Sequence, residues 1–361
     1  MNKKKKVYLK AYMMKNLGDD LFLKMFVDRY GDKNKIYLYT GSEYKRMLDG
    51  KVVACKNVFT VLFNKILKLI TRKKRDIQSF LYNKSDMVVQ IGGSLFMEKS
   101  DSNYKENVKI EYPNNSKYYV LGSNFGPYKS EDYLDTYKEV FRKAEDVCFR
   151  DKYSYDLFKD LSNVRYTSDI IYGLDVSKIN KINNKKVIIS VIDCDTKIGN
   201  EYKNDYEEKI KETIYYLTNK GYEIVLMSFC KLENDEIAIN DIYEKLDTTI
   251  RNKVSTYFYR GNIEEALNIL GESSIIIGSR FHANILGLIL EKTVIPIAYS
   301  DKTLNALNDI DFKGKIIDIR KINDFVPNDL SDEDLNYKIS VQNQIKLAKE
   351  QFKVLDKELL N

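Results

Sequence analysis

Histidine occurs once in these 361 residues, tryptophan not at all, and cysteine only four times. Cys55, Cys148, Cys194 and Cys230 are widely spaced and form no CxxC pair. That pattern argues against a zinc–cysteine module and against a disulfide scaffold. No EF-hand, HExxH or Walker A pattern occurs. No apolar run reaches transmembrane length. The lysine-rich start Met1–Lys6 lacks the apolar core of a secretion signal that would follow it. A cytoplasmic protein is the expectation. The charge balance is modest, 59 Lys+Arg against 53 Asp+Glu, a formal +6. It permits attraction to phosphorylated ligands or an anionic membrane. Without a nucleic-acid motif it gives no reason to expect DNA or RNA as partner. The 28 tyrosines, with many Lys, Asn and Ile, fit an AT-rich coding sequence better than a function.

Short apolar runs alternate with helical periodicity along the chain. Strands are predicted at Lys6–Tyr12, Lys35–Tyr39, Asp86–Ile91, Lys117–Leu121 and Asp146–Phe149. After a polar stretch from Asp175 to Lys186 the rhythm restarts. Lys186–Val191, Glu223–Ser228, Ser274–Ile277 and Thr293–Tyr299 follow, with a last short strand at Lys315–Asp318. Such alternation predicts parallel sheets covered by helices. The expected architecture is α/β: two Rossmann-like domains facing across a cleft, with a helical C-terminal tail. The domains are 1–178 and 179–330, and the tail is 331–361. The stretch Leu62–Arg75 reads first as an internal helix ending in a solvated basic loop. Peripheral contact with a membrane is the other reading of its apolar and basic residues.

The lone histidine, His282, sits in Gly278-Ser279-Arg280-Phe281-His282-Ala283 between a predicted strand and a predicted apolar helix. In α/β folds ligands bind at such junctions, and helix N-termini favour anions. A guanidinium and an imidazole there point to phosphate or carboxylate chemistry with proton transfer. Other loops after strands carry Gly18, Gly92, Gly93, Gly122 and Gly126. Glycine lets backbone approach a ligand closely. None of these loops has the GxGxxG spacing of a dinucleotide site.

An ordered series of segments resembles the polysaccharide pyruvyl transferase family. It runs from Asn16-Leu17-Gly18-Asp19-Asp20 through Gln90-Ile91-Gly92-Gly93-Ser94 and Gly122-Ser123-Asn124-Phe125-Gly126-Pro127. Phe149-Arg150-Asp151-Lys152-Tyr153-Ser154 and Ser168-Asp169 follow. The sharpest part is Ile277–Ala283, with Pro296 and Tyr299-Ser300-Asp301-Lys302 downstream. The resemblance covers about residues 6–310. It implies a GT-B-like pair of domains and transfer of the pyruvyl group of phosphoenolpyruvate to a sugar. The product is a pyruvate ketal on a cell-surface polysaccharide precursor, often lipid-linked, with phosphate released. Phosphoenolpyruvate is then a substrate, and no metal, nicotinamide or flavin is implied. The setting would be the cytoplasm, at the inner face of the membrane. Two departures stand out. Ser94 follows Gly92-Gly93 where many relatives carry a third glycine. No arginine lies between Arg165 and Arg251, where some relatives place another donor-binding arginine.

On this reading His282 and Arg280 are catalytic. Arg280, Ser279, Gly278 and Lys302 bind the donor, the arginine through a bidentate fork. His282 is the proton-transfer group, since an imidazole titrates near neutral pH. Asn16, Gly18, Asp19, Gly92, Gly93 and Gly122 would meet the acceptor on the first-domain side. Lys197 is another source of positive charge. Asp19 suits a helix start as well as a base. Arg150 and Asp151 read as structural, linking sheet to helix, and Asp169 as shaping the domain junction. Two other functions fit the same fold. A glycosyltransferase would turn over nucleotide sugar without consuming phosphoenolpyruvate. A noncatalytic carbohydrate-binding protein would have no use for the Arg280–His282 pair.

Overall fold

The computed structural model describes residues 4–71, 77–98, 104, 105, 108, 112, 113, 115–182 and 184–360. Eight strands come first: β1 (Lys6–Lys10), β2 (Lys35–Leu38), β3 (Val52–Ala54), β4 (Met87–Ile91), β5 (Ser94–Phe96), β6 (Lys117–Phe125), β7 (Asp146–Phe149) and β8 (Val164–Tyr166). Six more follow: β9 (Lys186–Ser190), β10 (Glu223–Ser228), β11 (Val254–Phe258), β12 (Ile275–Gly278), β13 (Thr293–Ala298) and β14 (Ile317–Asp318). The first sheet has the order β3-β2-β1-β4-β6-β7-β8, with β5 added beside β6. The second has the order β11-β10-β9-β12-β13-β14. Every pairing is parallel. Central strands are mostly apolar. Met87–Ile91 and Ile275–Gly278 are buried at every position, as expected where helices cover both faces.

The chain forms two compact units. The first comprises Met1–Met13, Leu21–Ile170 and Lys346–Asn361; the second comprises Met14–Asp20 and Ile171–Ile345. In each sheet the strand order reverses at one point, between β1 and β4 in the first and between β9 and β12 in the second. Reversal leaves a crevice beyond the carboxyl ends of the two strands, the usual ligand position in open α/β sheets.

The tail is divided: residues 331–345 belong to the second unit, and Lys346–Asn361 are integral to the first. Phe352, Leu355 and Leu359 are buried. Arg29 grips Asp356 through Nε and Nη2 at 2.7 and 2.5 Å, and Tyr30 donates to the same carboxylate. Gln351, fully buried, closes three backbone groups. Its Oε1 accepts from Gly122 N at 3.0 Å, and its Nε2 donates to the carbonyls of Ser168 and Phe149. Gln351→Leu is expected to cost roughly 2–4 kcal/mol, because Gly122 N and Ser168 O lose this partner at about 1–3 kcal/mol each, while the Phe149 carbonyl keeps Thr167 N. Urea unfolding measures it. A loss below ~1 kcal/mol would mean that water replaces the amide.

One sequence reading is corrected. The helix Val58–Thr71 is not internal: Phe59 is 82 % exposed, and Val58, Leu62, Phe63 and Ile66 are exposed as well. The basic run Arg72-Lys73-Lys74-Arg75 lies outside the described residues.

Candidate active site at the strand ends of the second unit

Ser279 and Arg280 leave β12 at the point of strand reversal. They remain tied to the neighbouring strand end, Ser279 N to the Ser190 carbonyl at 3.2 Å and Arg280 N to Ser190 Oγ at 3.1 Å. Arg280 then caps the helix Phe281–Ile289, and His282 falls in its first turn. Asn284 secures the junction by donating from Nδ2 to the Gly278 carbonyl at 3.0 Å. A Cβ at 278 would lie 1.9 Å from Asn284 Oδ1, so a larger residue there must displace the Asn284 amide.

Arg280 is nearly buried, and its guanidinium is engaged by carboxylates. Nε donates to Asp235 Oδ2 at 3.0 Å, Nη2 to Asp235 Oδ1, and Nη1 to Glu233 Oε2. The fork expected to take an anionic substrate therefore grips Asp235 in this structure. Of the five N–H donors, these bonds leave one on each terminal nitrogen. Asp235 also accepts from the amides of Phe229 and Cys230, each at 2.9 Å. Lys197 meets Glu233 at 2.7 Å. It ends the short helix Cys194–Lys197 that follows β9, across the strand reversal from Arg280. Lys197, Arg280, Glu233 and Asp235 form a set that is neutral by formal charge.

Lys302 adds a positive charge. Its Nζ lies 5.5 Å from the centre of the Tyr299 ring. Burial pushes the Tyr299 phenol up, but Lys302, Arg280 and Lys197 outweigh burial and hold it below the usual tyrosine range. The local field thus favours an anion. Tyr299 joins β13 to the helix Asp301–Asp309, which starts after Ser300. Ser300 Oγ and Thr303 Oγ1 are both buried without a hydrogen-bond partner. Ser279 differs: its buried hydroxyl lies 2.9 Å from Tyr206 Oη.

The segment Met14–Asp20 belongs to this unit. Asn16 forms an antiparallel bridge with Cys230, and Leu17 N donates to the Phe229 carbonyl at 3.0 Å. Asn16 Oδ1 accepts from Gly18 N at 3.1 Å, an Asx turn at the start of the helix Leu17–Tyr30. Asp19 is half-buried in that first turn. Asp20 is buried and accepts from Tyr259 Oη at 2.8 Å. Gly18 lies against the imidazole: a Cβ there would sit 1.8 Å from His282 Nδ1. Gly18→Ala must therefore displace His282. An expected consequence is a fall of about 10²-fold in turnover, the size of loss that a misplacement near 1 Å produces. Turnover and thermal midpoint measured together decide it, and unchanged turnover would separate His282 from the chemistry.

The remaining glycines lie in the first unit. Gly92 has φ +143° and Gly122 φ +68°. Gly93 backs onto a guanidinium, since a Cβ would be 2.7 Å from Arg150 Nη1. Arg150 in turn reaches Asp169 at 2.8 Å and Asn124 Oδ1 at 2.7 Å, all buried. Asp151 caps the helix Lys152–Phe158 by accepting from Ser154 N. Sequence reasoning missed Glu233, Asp235, Ser300, Thr303 and the Asp20–Tyr259 bond. An acidic residue shortly after β10 was a weak signal for Asp235. Ser300 and Thr303 stood at a strand-to-helix junction of the same kind as Ser279. Among the described residues no group of three or more His, Cys, Asp or Glu is placed to hold a metal ion.

Residues 16–301 match the profile of polysaccharide pyruvyl transferases. The chain belongs to the polysaccharide pyruvyl transferase family. The amylovoran biosynthesis protein AmsJ of Erwinia amylovora is 20 % identical over 268 residues. That match covers 66 % of this chain and 63 % of AmsJ, less than two thirds of the relative's length. Solved structures share the fold. The UDP-GlcNAc 2-epimerase of Neisseria meningitidis superposes with TM-score 0.62 at 11 % identity, covering 99 % of this chain and all of that one. The Anabaena protein HepE, solved with UDP and glucose, gives TM-score 0.55 at 12 % identity, covering 98 % and 95 %. These likenesses establish two Rossmann-like domains of the GT-B type for this pyruvyl transferase family member. His282 and Arg280 lie within the matched span, at the strand reversal of the second sheet.

Proposed function

We propose that the protein transfers the pyruvyl group of phosphoenolpyruvate to two hydroxyls of one sugar in a polysaccharide precursor. The observation that carries this is the second unit's strand-to-helix junction, where Arg280 and His282 follow β12 at the strand reversal and Lys302, Arg280 and Lys197 hold the Tyr299 phenol below its usual range. Phosphoenolpyruvate brings a phosphate and a carboxylate, and that anion-favouring field suits both. Lys302, Ser300 and Thr303 are assigned to one anionic group; Lys197 and the remaining donors of Arg280 serve the other. Lys197 thereby supplies the charge that relatives draw from an additional arginine.

The chemistry balances as follows. His282 delivers a proton to C3 of the enol, leaving C2 electrophilic. A first sugar hydroxyl adds to C2 and loses its proton. The C2–O bond to phosphate breaks, phosphate leaves, and the second hydroxyl closes the ketal as its proton departs. Oriented cations stabilise charge as it moves onto phosphate. Asn16 and Asp19, near the Gly18 contact with His282, are assigned to the sugar hydroxyls. Gly92, Gly93 and Gly122 are given to the acceptor on the family resemblance alone. The acceptor is proposed to be lipid-linked, with the protein acting at the cytoplasmic face of the membrane.

The test incubates the purified protein with phosphoenolpyruvate and lipid-linked or nucleotide-linked saccharides. The expected result is phosphate release with the mass increment of one ketal-linked pyruvate. Turnover of a nucleotide sugar with phosphoenolpyruvate untouched would replace this reading with glycosyl transfer.

A further inference from the structure

The helix Val58–Thr71 is amphipathic in the reverse sense for a soluble protein. Val58 is 81 % exposed, Phe59 82 %, Leu62 56 % and Phe63 52 %. The polar residues between them turn away from solvent more than these do. Thr60 and Asn64 are both half-buried; Thr60 bonds to Asn57, and Asn64 Oδ1 accepts from Ile77 N at 3.1 Å. Phe80, on the neighbouring helix Ile77–Lys84, is also exposed, with Lys84 Nζ 5.8 Å from its ring. A contiguous exposed apolar face of this kind marks an interaction surface.

Charge selects the partner. Between Asp49 and Asp76 the sequence carries eight lysines and arginines and no carboxylate, more positive charge than the formal +6 of the whole chain. Within the described part, Lys56 and Lys65 are exposed. A second copy of the chain would bring the same positive charges against themselves across a two-fold contact. Among the described residues no helix is long and apolar enough to cross a membrane. An apolar face flanked by basic residues and lacking acids suits the headgroup boundary of an anionic bilayer.

We infer that the face formed by Val58, Phe59, Leu62, Phe63 and Ile66 lies in the surface of an anionic membrane. This deepens the location proposed above and is independent of the pyruvyl chemistry. The helix lies flat, its apolar residues among the acyl chains and its lysines at the lipid phosphates.

Flotation of the full-length protein tests this with vesicles of phosphatidylcholine alone and of phosphatidylcholine mixed with phosphatidylglycerol. The protein should float with the anionic vesicles only. Phe59→Ser/Phe63→Ser should abolish flotation while leaving thermal midpoint and turnover of a soluble acceptor unchanged. Lys65→Glu should weaken binding by at least about fivefold, the effect of one basic charge near such a surface. Equal binding to both vesicle types, no binding to either, or undiminished flotation of the double variant would overturn the inference. So would a dimer in solution that the same double variant dissociates. Any of these results leaves turnover of a soluble acceptor intact, so the membrane inference can fail without the transferase reading failing.

Discussion

Arg280→Ala is expected to lower the unfolding free energy by about 3–5 kcal/mol at neutral pH, the usual cost of removing one partner of a buried ion pair. Asp235 is fully buried and would lose both of its side-chain donors, keeping only the amides of Phe229 and Cys230. Glu233 would lose Arg280 and keep Lys197. Acid should narrow the gap. Burial pushes the Glu233 carboxyl up, but Arg280 and Lys197 hold it down to about 2 from an ordinary 4.5. A carboxylate depressed in this way stabilises the fold fully above its unfolded pKa. The contribution fades as pH falls toward the folded value. The Glu233 part of the difference should therefore fade between pH 4.5 and pH 2; burial pushes the Asp235 carboxyl up despite Arg280, so its part fades at higher pH. Arg280→Lys, which keeps charge without the fork, should fall between them. Urea titrations at several pH values are the measurement. A difference below ~1 kcal/mol at neutral pH, or one that widens in acid, would show that the pair contributes little. Loss of activity in Arg280→Ala is thus ambiguous by itself, because the variant loses structure and chemistry together.

His282→Gln separates the two. The side chain is half-buried, and glutamine keeps polarity and comparable bulk. Turnover should fall by about 10²–10⁴-fold, the usual contribution of a general acid or base, with the thermal midpoint nearly unchanged. A second readout follows from composition. His282 is the only histidine, so carbethoxylation of imidazole reports a single site. Inactivation should track modification of one group, and phosphoenolpyruvate should slow it. Turnover within about tenfold of wild type in His282→Gln would remove His282 from proton transfer and leave it a positioning role beside Gly18.

Much of the fold was legible because its central strands are short, mostly apolar runs. Asp146–Phe149 and Glu223–Ser228 agree with prediction to the residue. The strands that escaped are β3, β5, β8 and β11. The first three have only three residues each, too few for periodicity to register. β11 is an edge strand with exposed polar positions, where one-sided pairing needs no apolar run. At the site, Arg280 and His282 could be read locally because strand, loop and helix are contiguous. Their partners could not. Asp235 and Glu233 lie more than forty positions away, and Gly18 meets His282 only through tertiary folding. The exposure of Phe59 was equally hidden, since an apolar periodicity says that a helix has a face but not what that face meets.

The division of the chain has a consequence for how the protein is made. The first unit contains Met1–Met13 and Leu21–Ile170 and is completed by Lys346–Asn361. A ribosome therefore finishes the second unit's sequence while the amide of Gly122 still awaits Gln351. Folding in order of synthesis, the usual course for multidomain chains, is interrupted here. The N-terminal sheet stays unsealed until Lys346–Asn361 have been made. A chain stopped at residue 345 should expose that sheet to protease while its second unit resists. Equal resistance of both halves would show that the tail is dispensable.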